Sequence, residues 1–117
     1  MSRLAKSVWG PACWTFLHAA AAACQDGSAF LELLEIVQRN LPCPECKAHM
    51  AAYLKLHPPR FEETRAAESA SLYVFDLHNH VNHSLGKEPA NASVLQKHYD
   101  VALALRRSRA PPPFRRF

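Results

Sequence analysis

Apolar residues recur at helical spacing along most of this chain, and no long segment alternates between apolar and polar residues as a strand does. The first apolar run extends from Trp9 to Cys24, with Pro11 in its first turn, and Asp26-Gly27 ends it. The second run follows the i, i+3, i+4, i+7 spacing at positions 30, 33, 34 and 37 and ends at Asn40-Leu41-Pro42. These patterns predict two core-facing helices.

Three further helices are predicted, at about 43–56, 65–85 and 91–105. Pro58-Pro59 ends the first of them, Gly86 ends the second, and Ser93 lies in the segment that offers a cap to the third. Ala, Leu, Glu, Gln and Lys recur while only 3 glycines are present, which also favours helices. Five helices with short connections predict an all-α bundle, and we assign residues 1–105 to this one domain.

The net charge of +4 does not indicate a nucleic-acid partner, because the excess lies at one end of the chain. Residues 1–105 carry nine Lys and Arg against ten Asp and Glu, and the remaining five charges are Arg106, Arg107, Arg109, Arg115 and Arg116. The 106–117 segment, with three consecutive prolines, is predicted to be a solvated, disordered tail. A basic tail that docks on an acidic partner is the functional alternative.

No apolar run reaches the roughly 18 residues that cross a bilayer, and no signal peptide is recognisable, so we expect a soluble protein made in the cytosol without a membrane partner.

Of the 4 cysteines only Cys43 and Cys46 are closely paired. At a helix N-terminus both sulfurs face the same way and can switch between dithiol and disulfide, and the helix dipole lowers a thiol pKa there. The same spacing serves zinc, with His49 or His57 as further ligands, so the pair alone leaves redox and zinc chemistry open.

Two other segments carry candidate chemistry. In 78–87 helical spacing places His78 and Asn82 on one face, which indicates a ligand site or an exposed helix face rich in imidazole. In 9–18 Trp14 and His18 are i, i+4 neighbours, and their planar side chains predict either a platform for an aromatic cofactor or a core-anchored tryptophan beside a satisfied histidine.

Three motifs occur in this order: W-G-P-x-x-W-x-x-L-H from Trp9, C-x-x-C after Leu41-Pro42, and H-N-x-V-N-x-x-L-x-K from His78. Together they resemble the Erv/ALR family of FAD-linked sulfhydryl oxidases, especially its short virus-encoded members, over about residues 6–100. The resemblance implies a four-helix bundle with a short fifth helix, non-covalent FAD at the bundle mouth and a homodimer built from the first two helices. It favours redox chemistry over zinc, and we expect no metal site.

The resemblance also implies roles for individual residues. Cys43 exchanges with incoming thiols, and Cys46 lies against the flavin, which passes two electrons to oxygen with release of hydrogen peroxide. The FAD contacts carried over from the family are Gly10, Pro11, Trp14, His18, Cys46, His78, Asn79, Val81, Asn82, Lys87, His98 and Tyr99.

The chain departs from the family at several positions. Phe75 and Ala92 occupy the positions of a structural disulfide, and Leu41 replaces an aromatic residue before Pro-Cys. No second C-x-x-C is present to act as a shuttle, so thiol-containing proteins, or a separate shuttle protein, must deliver electrons directly to Cys43.

Cys13 and Cys24 are eleven residues apart on the first predicted helix, a rise of roughly 16 Å, which is beyond disulfide reach. Each is expected to be a buried thiol, with a bridge between subunits as the alternative.

The competing function is a zinc-stabilised helical adaptor that binds an acidic partner through its basic tail. Host cytoplasm or virion is the expected location, and the mitochondrial intermembrane space is the alternative.

Overall fold

Four α-helices make up most of the computed structural model, which describes residues 4–61 and 63–87. They are α1 (Lys6–Ala22), α2 (Gly27–Asn40), α3 (Pro44–Leu56) and α4 (Ala66–Ser84), and a short 3₁₀ turn (Glu63–Arg65) precedes α4. No strand occurs within these two ranges, which confirms the all-α prediction. The predicted last helix and the 106–117 tail lie outside the described residues.

The helix ends follow local capping chemistry. The Asp26 carboxylate accepts hydrogen bonds from the backbone N–H groups of Ser28 and Ala29 at the start of α2. A hydrogen bond from the Ser28 hydroxyl to the same carboxylate, together with these backbone bonds, holds the pKa of Asp26 below its ordinary value. Just after the C-terminal end of α4, Gly86 takes a φ of 71°, a left-handed conformation that favours glycine.

The prediction for the start of the first helix was wrong. The helix begins at Lys6, so Pro11 lies inside it and not in its first turn. A proline there has no N–H to donate to the Ser7 carbonyl, and both residues are exposed, so water can satisfy that carbonyl. The helix also ends at Ala22, which places Cys24 just beyond it. Cys24 is a buried free thiol, as expected, whereas the free thiol of Cys13 is half-buried.

The core lies where α1 and α4 pack against each other and against α2. Its largest fully buried side chains include Leu17, Leu34, Val74 and Leu77. Along the same contact the two helices meet through alanine side chains, which we call the α1–α4 seam: Ala21, Ala22, Ala66, Ala67 and Ala70. Ala22 contacts Ala67 at one end of the pair, and Trp14 meets His78 at the other, so the helices run antiparallel.

Contacts of aromatic side chains stabilise the segment that connects α3 to α4. The Tyr73 hydroxyl donates a 2.6 Å hydrogen bond to the His57 carbonyl, and the Phe61 ring meets Tyr73 edge-on. Phe61 also packs edge-on against Phe30 and lies directly over Gly27, where an added Cβ would fall 2.7 Å from the Phe61 Cβ. A glycine at position 27 therefore permits this segment to cross the start of α2.

No helix in the described part of the chain is both long and apolar enough to cross a membrane.

Candidate active site

Cys43 and Cys46 form a disulfide at the start of α3, with Cα atoms 5.1 Å apart. Cys43 is the N-cap of the helix, and Pro44 follows as its first residue, where no N–H is needed. The Cys43 Sγ accepts a hydrogen bond from the backbone N–H of Cys46 at 3.2 Å. Both cysteines are partly exposed, so a thiol from another molecule can approach them.

Three rings from α1 and α4 form a second cluster. The Trp14 and His78 rings stack with centroids 4.0 Å apart and planes 8° from parallel. His18 Nε2 lies 3.0 Å from His78 Nδ1, a hydrogen bond in which one ring donates and the other accepts. The Trp14 and His18 rings are 6.2 Å apart and tilted by 38°, so Trp14 stacks on the histidine of the other helix and not on its i+4 neighbour.

The environment of these rings keeps His78 neutral. Burial of the His78 ring, together with the nearby His18 and Lys87, lowers the His78 pKa to about 4. His18 is itself buried. At neutral pH the cluster therefore presents a neutral imidazole stacked on an indole, with the Lys87 charge close by.

Among the other predicted cofactor contacts, Gly10 and Pro11 lie on α1, Cys46 lies on α3, and Asn79, Val81 and Asn82 lie on α4. Asn79 and Val81 are half-buried, Asn82 is buried, and Lys87 follows the C-terminal end of α4. On α1, a Cβ added to Gly10 would meet only the Lys6 side chain, at 3.8 Å, so no contact within the described chain requires glycine there. His98 and Tyr99 lie outside the described residues, and all these cofactor contacts stay predictions.

One residue near the disulfide had no signal in the sequence. Gln38, on α2, donates a hydrogen bond from Nε2 to the Lys47 carbonyl at 3.1 Å. A glutamine near the end of an amphipathic helix resembles any polar surface residue, and only the packing of α2 against α3 reveals its partner.

Zinc coordination receives no support from the described residues. They contain no group of three or more His, Cys, Asp or Glu side chains that could hold a metal ion. The two cysteines that a zinc site would use are bonded to each other, and zinc binds thiolates.

Known proteins resemble this chain in sequence and fold. The Erv1 / Alr family model matches residues 11–100. The FAD-linked sulfhydryl oxidase ERV1 of Arabidopsis thaliana is 37% identical over 84 residues, which are 67% of this chain and 42% of that protein. Protein 096R of Invertebrate iridescent virus 3, provisionally named an FAD-linked sulfhydryl oxidase, is 30% identical over 103 residues, which are 80% of this chain and 67% of the viral protein.

The chain thus spans less than half of the Arabidopsis relative. The crystal structure of the yeast Erv1 core has the same fold, with a TM-score of 0.71 at 21% identity, over 85% of this chain and 86% of that one.

Proposed function

This chain belongs to the Erv1 / Alr family, and we propose that it is an FAD-dependent thiol oxidase that forms disulfide bonds in substrate proteins. The observation that carries the proposal is the Cys43–Cys46 disulfide at the partly exposed start of α3. A bond that closes so short a loop adds little to stability through chain entropy, which favours a redox role over a structural one. The names of the relatives agree with this chemistry.

The aromatic cluster suits the cofactor. The stacked Trp14 and His78 rings offer flat, uncharged surfaces to a planar ring system, and Lys87 supplies a positive charge for a phosphate. The amides of Asn79 and Asn82 follow on the same helix as hydrogen-bonding groups for its polar parts. When bound, FAD accepts the two electrons that thiol oxidation releases.

The disulfide accounts for the exchange steps. A substrate thiolate attacks the Cys43 Sγ, so the Cys43–Cys46 bond breaks, a substrate–Cys43 disulfide forms and the electron pair leaves on the Cys46 Sγ. A second substrate thiolate then attacks the substrate sulfur, and the Cys43 Sγ leaves as a thiolate that the Cys46 N–H stabilises. Two substrate thiols thus become one disulfide, and the reduced pair returns to the Cys43–Cys46 disulfide by giving up two electrons and two protons. Bound FAD would take up these electrons, and O₂ would be the final acceptor, reduced with two protons to hydrogen peroxide.

Absorbance of the purified protein is the first test. We expect an oxidised-flavin spectrum and oxygen consumption with a small dithiol. A colourless, zinc-bearing protein would refute the proposal and support the adaptor alternative.

The two cysteines must also behave differently. In Cys43→Ser, the Cys46 thiolate should give a long-wavelength charge-transfer band with the flavin while turnover collapses. Cys46→Ser should lose both, and both variants should retain FAD. A band in Cys46→Ser instead would reverse the two roles, and a band in neither variant with activity retained would remove the pair from the reaction.

We also propose a homodimer built from α1 and α2. Val8, Ala12 and Phe16 follow each other at i, i+4 spacing on α1 and are all exposed, Val8 and Phe16 at 55% each. Ile36 exposes a further apolar side chain on α2. Phe16→Glu should shift the sedimenting species to a monomer, whereas Leu56→Glu, which charges an exposed leucine on α3, should not. A monomeric wild type would contradict the proposal.

A further inference from the structure

A continuous set of hydrogen bonds joins α2 to the redox disulfide. Gln38 Nε2 donates to the Lys47 carbonyl at 3.1 Å, and the Lys47 N–H donates to the Cys43 carbonyl at 2.9 Å. The Cys46 N–H in turn donates to the Cys43 Sγ. The Gln38 side chain is thus bonded to the one turn of helix that carries both sulfurs, which we call the redox turn (residues 43–47).

Packing alone holds the redox turn loosely. No side chain from Pro44 to His49 is buried, and Met50 is the first residue of α3 to enter the core. Before the turn, Leu41 packs against the core, but it is separated from Cys43 by the exposed Pro42. The position of both sulfurs therefore depends on polar contacts with α2 more than on apolar burial.

We propose that Gln38 is a positioning residue for electron transfer from this disulfide: its amide holds the redox turn at a fixed angle to α2, and so holds Cys46 in place against the cofactor. This inference rests on the proposed oxidase function. A backbone carbonyl has two acceptor sites, so the Lys47 oxygen can accept the Gln38 bond without giving up its place in the helix. Gln38 touches neither substrate nor cofactor and acts through the turn.

The chemistry requires a donor at position 38. Gln38→Ala removes the bond, and Gln38→Glu replaces the donor by a carboxylate that faces a carbonyl oxygen. Once protonated, that carboxyl can donate again. Position 38 is half-buried and faces a carbonyl oxygen, so the pKa of this carboxyl should lie above its ordinary value of about 4.3.

Asn40→Ala is the matched control. The Asn40 Nδ2 also donates to a backbone carbonyl at the end of α2, at 2.7 Å, but that carbonyl belongs to Ile36 of the same helix. Both alanine variants lose one side-chain hydrogen bond from the last turn of α2, and only Gln38→Ala loses a bond to α3.

The test measures steady-state turnover with a small dithiol and, in stopped flow, the reduction of the bound flavin. We expect Gln38→Ala to keep its FAD content and its KM, and to lose kcat on the order of tenfold, below the roughly hundredfold cost of an ångström of misplacement. Combined with Cys43→Ser, it should weaken the charge-transfer band of Cys46. Asn40→Ala should match the wild type in both measurements. The ratio of Gln38→Glu to wild-type kcat should rise as the pH is lowered from 7 towards 5.

A Gln38→Ala variant with wild-type kcat and an unchanged band would overturn the proposal. A pH-independent ratio for Gln38→Glu would do so as well, even where Gln38→Ala folds poorly. Alkylation rates of the reduced Cys43 and Cys46 thiols, read by mass spectrometry, should change in Gln38→Ala and not in Asn40→Ala. This last measurement needs no flavin, so it tests the role of Gln38 even if the wild type shows no oxidase activity, a result that would refute the proposed function instead.

Discussion

The neutral His78 ring makes the stability of the protein depend on pH. In the unfolded chain a histidine takes up a proton near pH 6.5, whereas in the fold the pKa of His78 lies at about 4. Between these values the unfolded state binds more protons, so the free energy of unfolding must fall as the pH falls from about 6.5 to 4. Above pH 6.5 the ring is neutral in both states, so it does not change the free energy of unfolding with pH.

The size of this effect follows from the two pKa values. The full difference between 6.5 and about 4 corresponds to about 3 kcal/mol at roughly 1.4 kcal/mol per pKa unit. The ring is half-buried, and screening by solvent reduces the effect to about 1–2 kcal/mol. For a chain of this size that amounts to about 4–12 °C in Tm.

The assay compares wild type with His78→Gln by thermal unfolding between pH 4.5 and 7.5. Glutamine can still bond to His18 but cannot take up a proton, so the Tm of the variant should depend less on pH. His83→Gln, which removes an exposed histidine from the same helix, is the control. Equal slopes of Tm against pH in wild type and His78→Gln, or an NMR titration of the His78 ring near 6.5, would refute the reasoning.

Four other changes have expected outcomes that unfolding or activity measurements check. Gly27→Ala should destabilise the fold by about 1–3 kcal/mol, since its Cβ would fall 2.7 Å from that of Phe61. An unchanged Tm would show that the segment around Phe61 can move aside without cost. Leu77→Ala, at a 1% exposed position, should cost about 2–5 kcal/mol in urea unfolding. Ser71→Ala should be neutral or stabilising, because the buried hydroxyl has no hydrogen-bond partner among the described residues, and a loss above about 1 kcal/mol would reveal one. Truncation after Leu105 should leave dithiol oxidation intact, and loss of activity in a folded truncation would assign the tail a role.

The helix pattern of the sequence was sufficient to locate the four described helices. The start of α3 was close to its predicted place because Cys43 caps it through a short-range bond. No start was predicted for α2, since Asp26 was interpreted only as the end of the first helix, although its carboxylate caps α2. The start of α1 was misplaced because Pro11 was read as a first-turn proline. No local signal contradicts that reading, and the Ala5 side chain makes no capping bond at the true start.

The candidate site could be predicted residue by residue but not as an arrangement. Spacing on one helix suggested that Trp14 and His18 act together, yet the Trp14 ring stacks on His78, which is distant in the sequence. The hydrogen bond from Gln38 to the Lys47 carbonyl could not be predicted for the same reason, because it depends on how α2 packs against α3. The expected cytoplasmic location stays a prediction.

The α1–α4 seam has a consequence for cofactor binding. Alanine has no side-chain rotamers to lose on burial, so the seam orders two helices at little entropic cost. It also has no rotamers through which their spacing could readjust. Trp14 and His78 extend from the same two helices beyond the seam, so the distance between their backbones is fixed before any ligand arrives. FAD bound against these rings would then meet two helices that are already in place, and little of its binding free energy would be spent on ordering them.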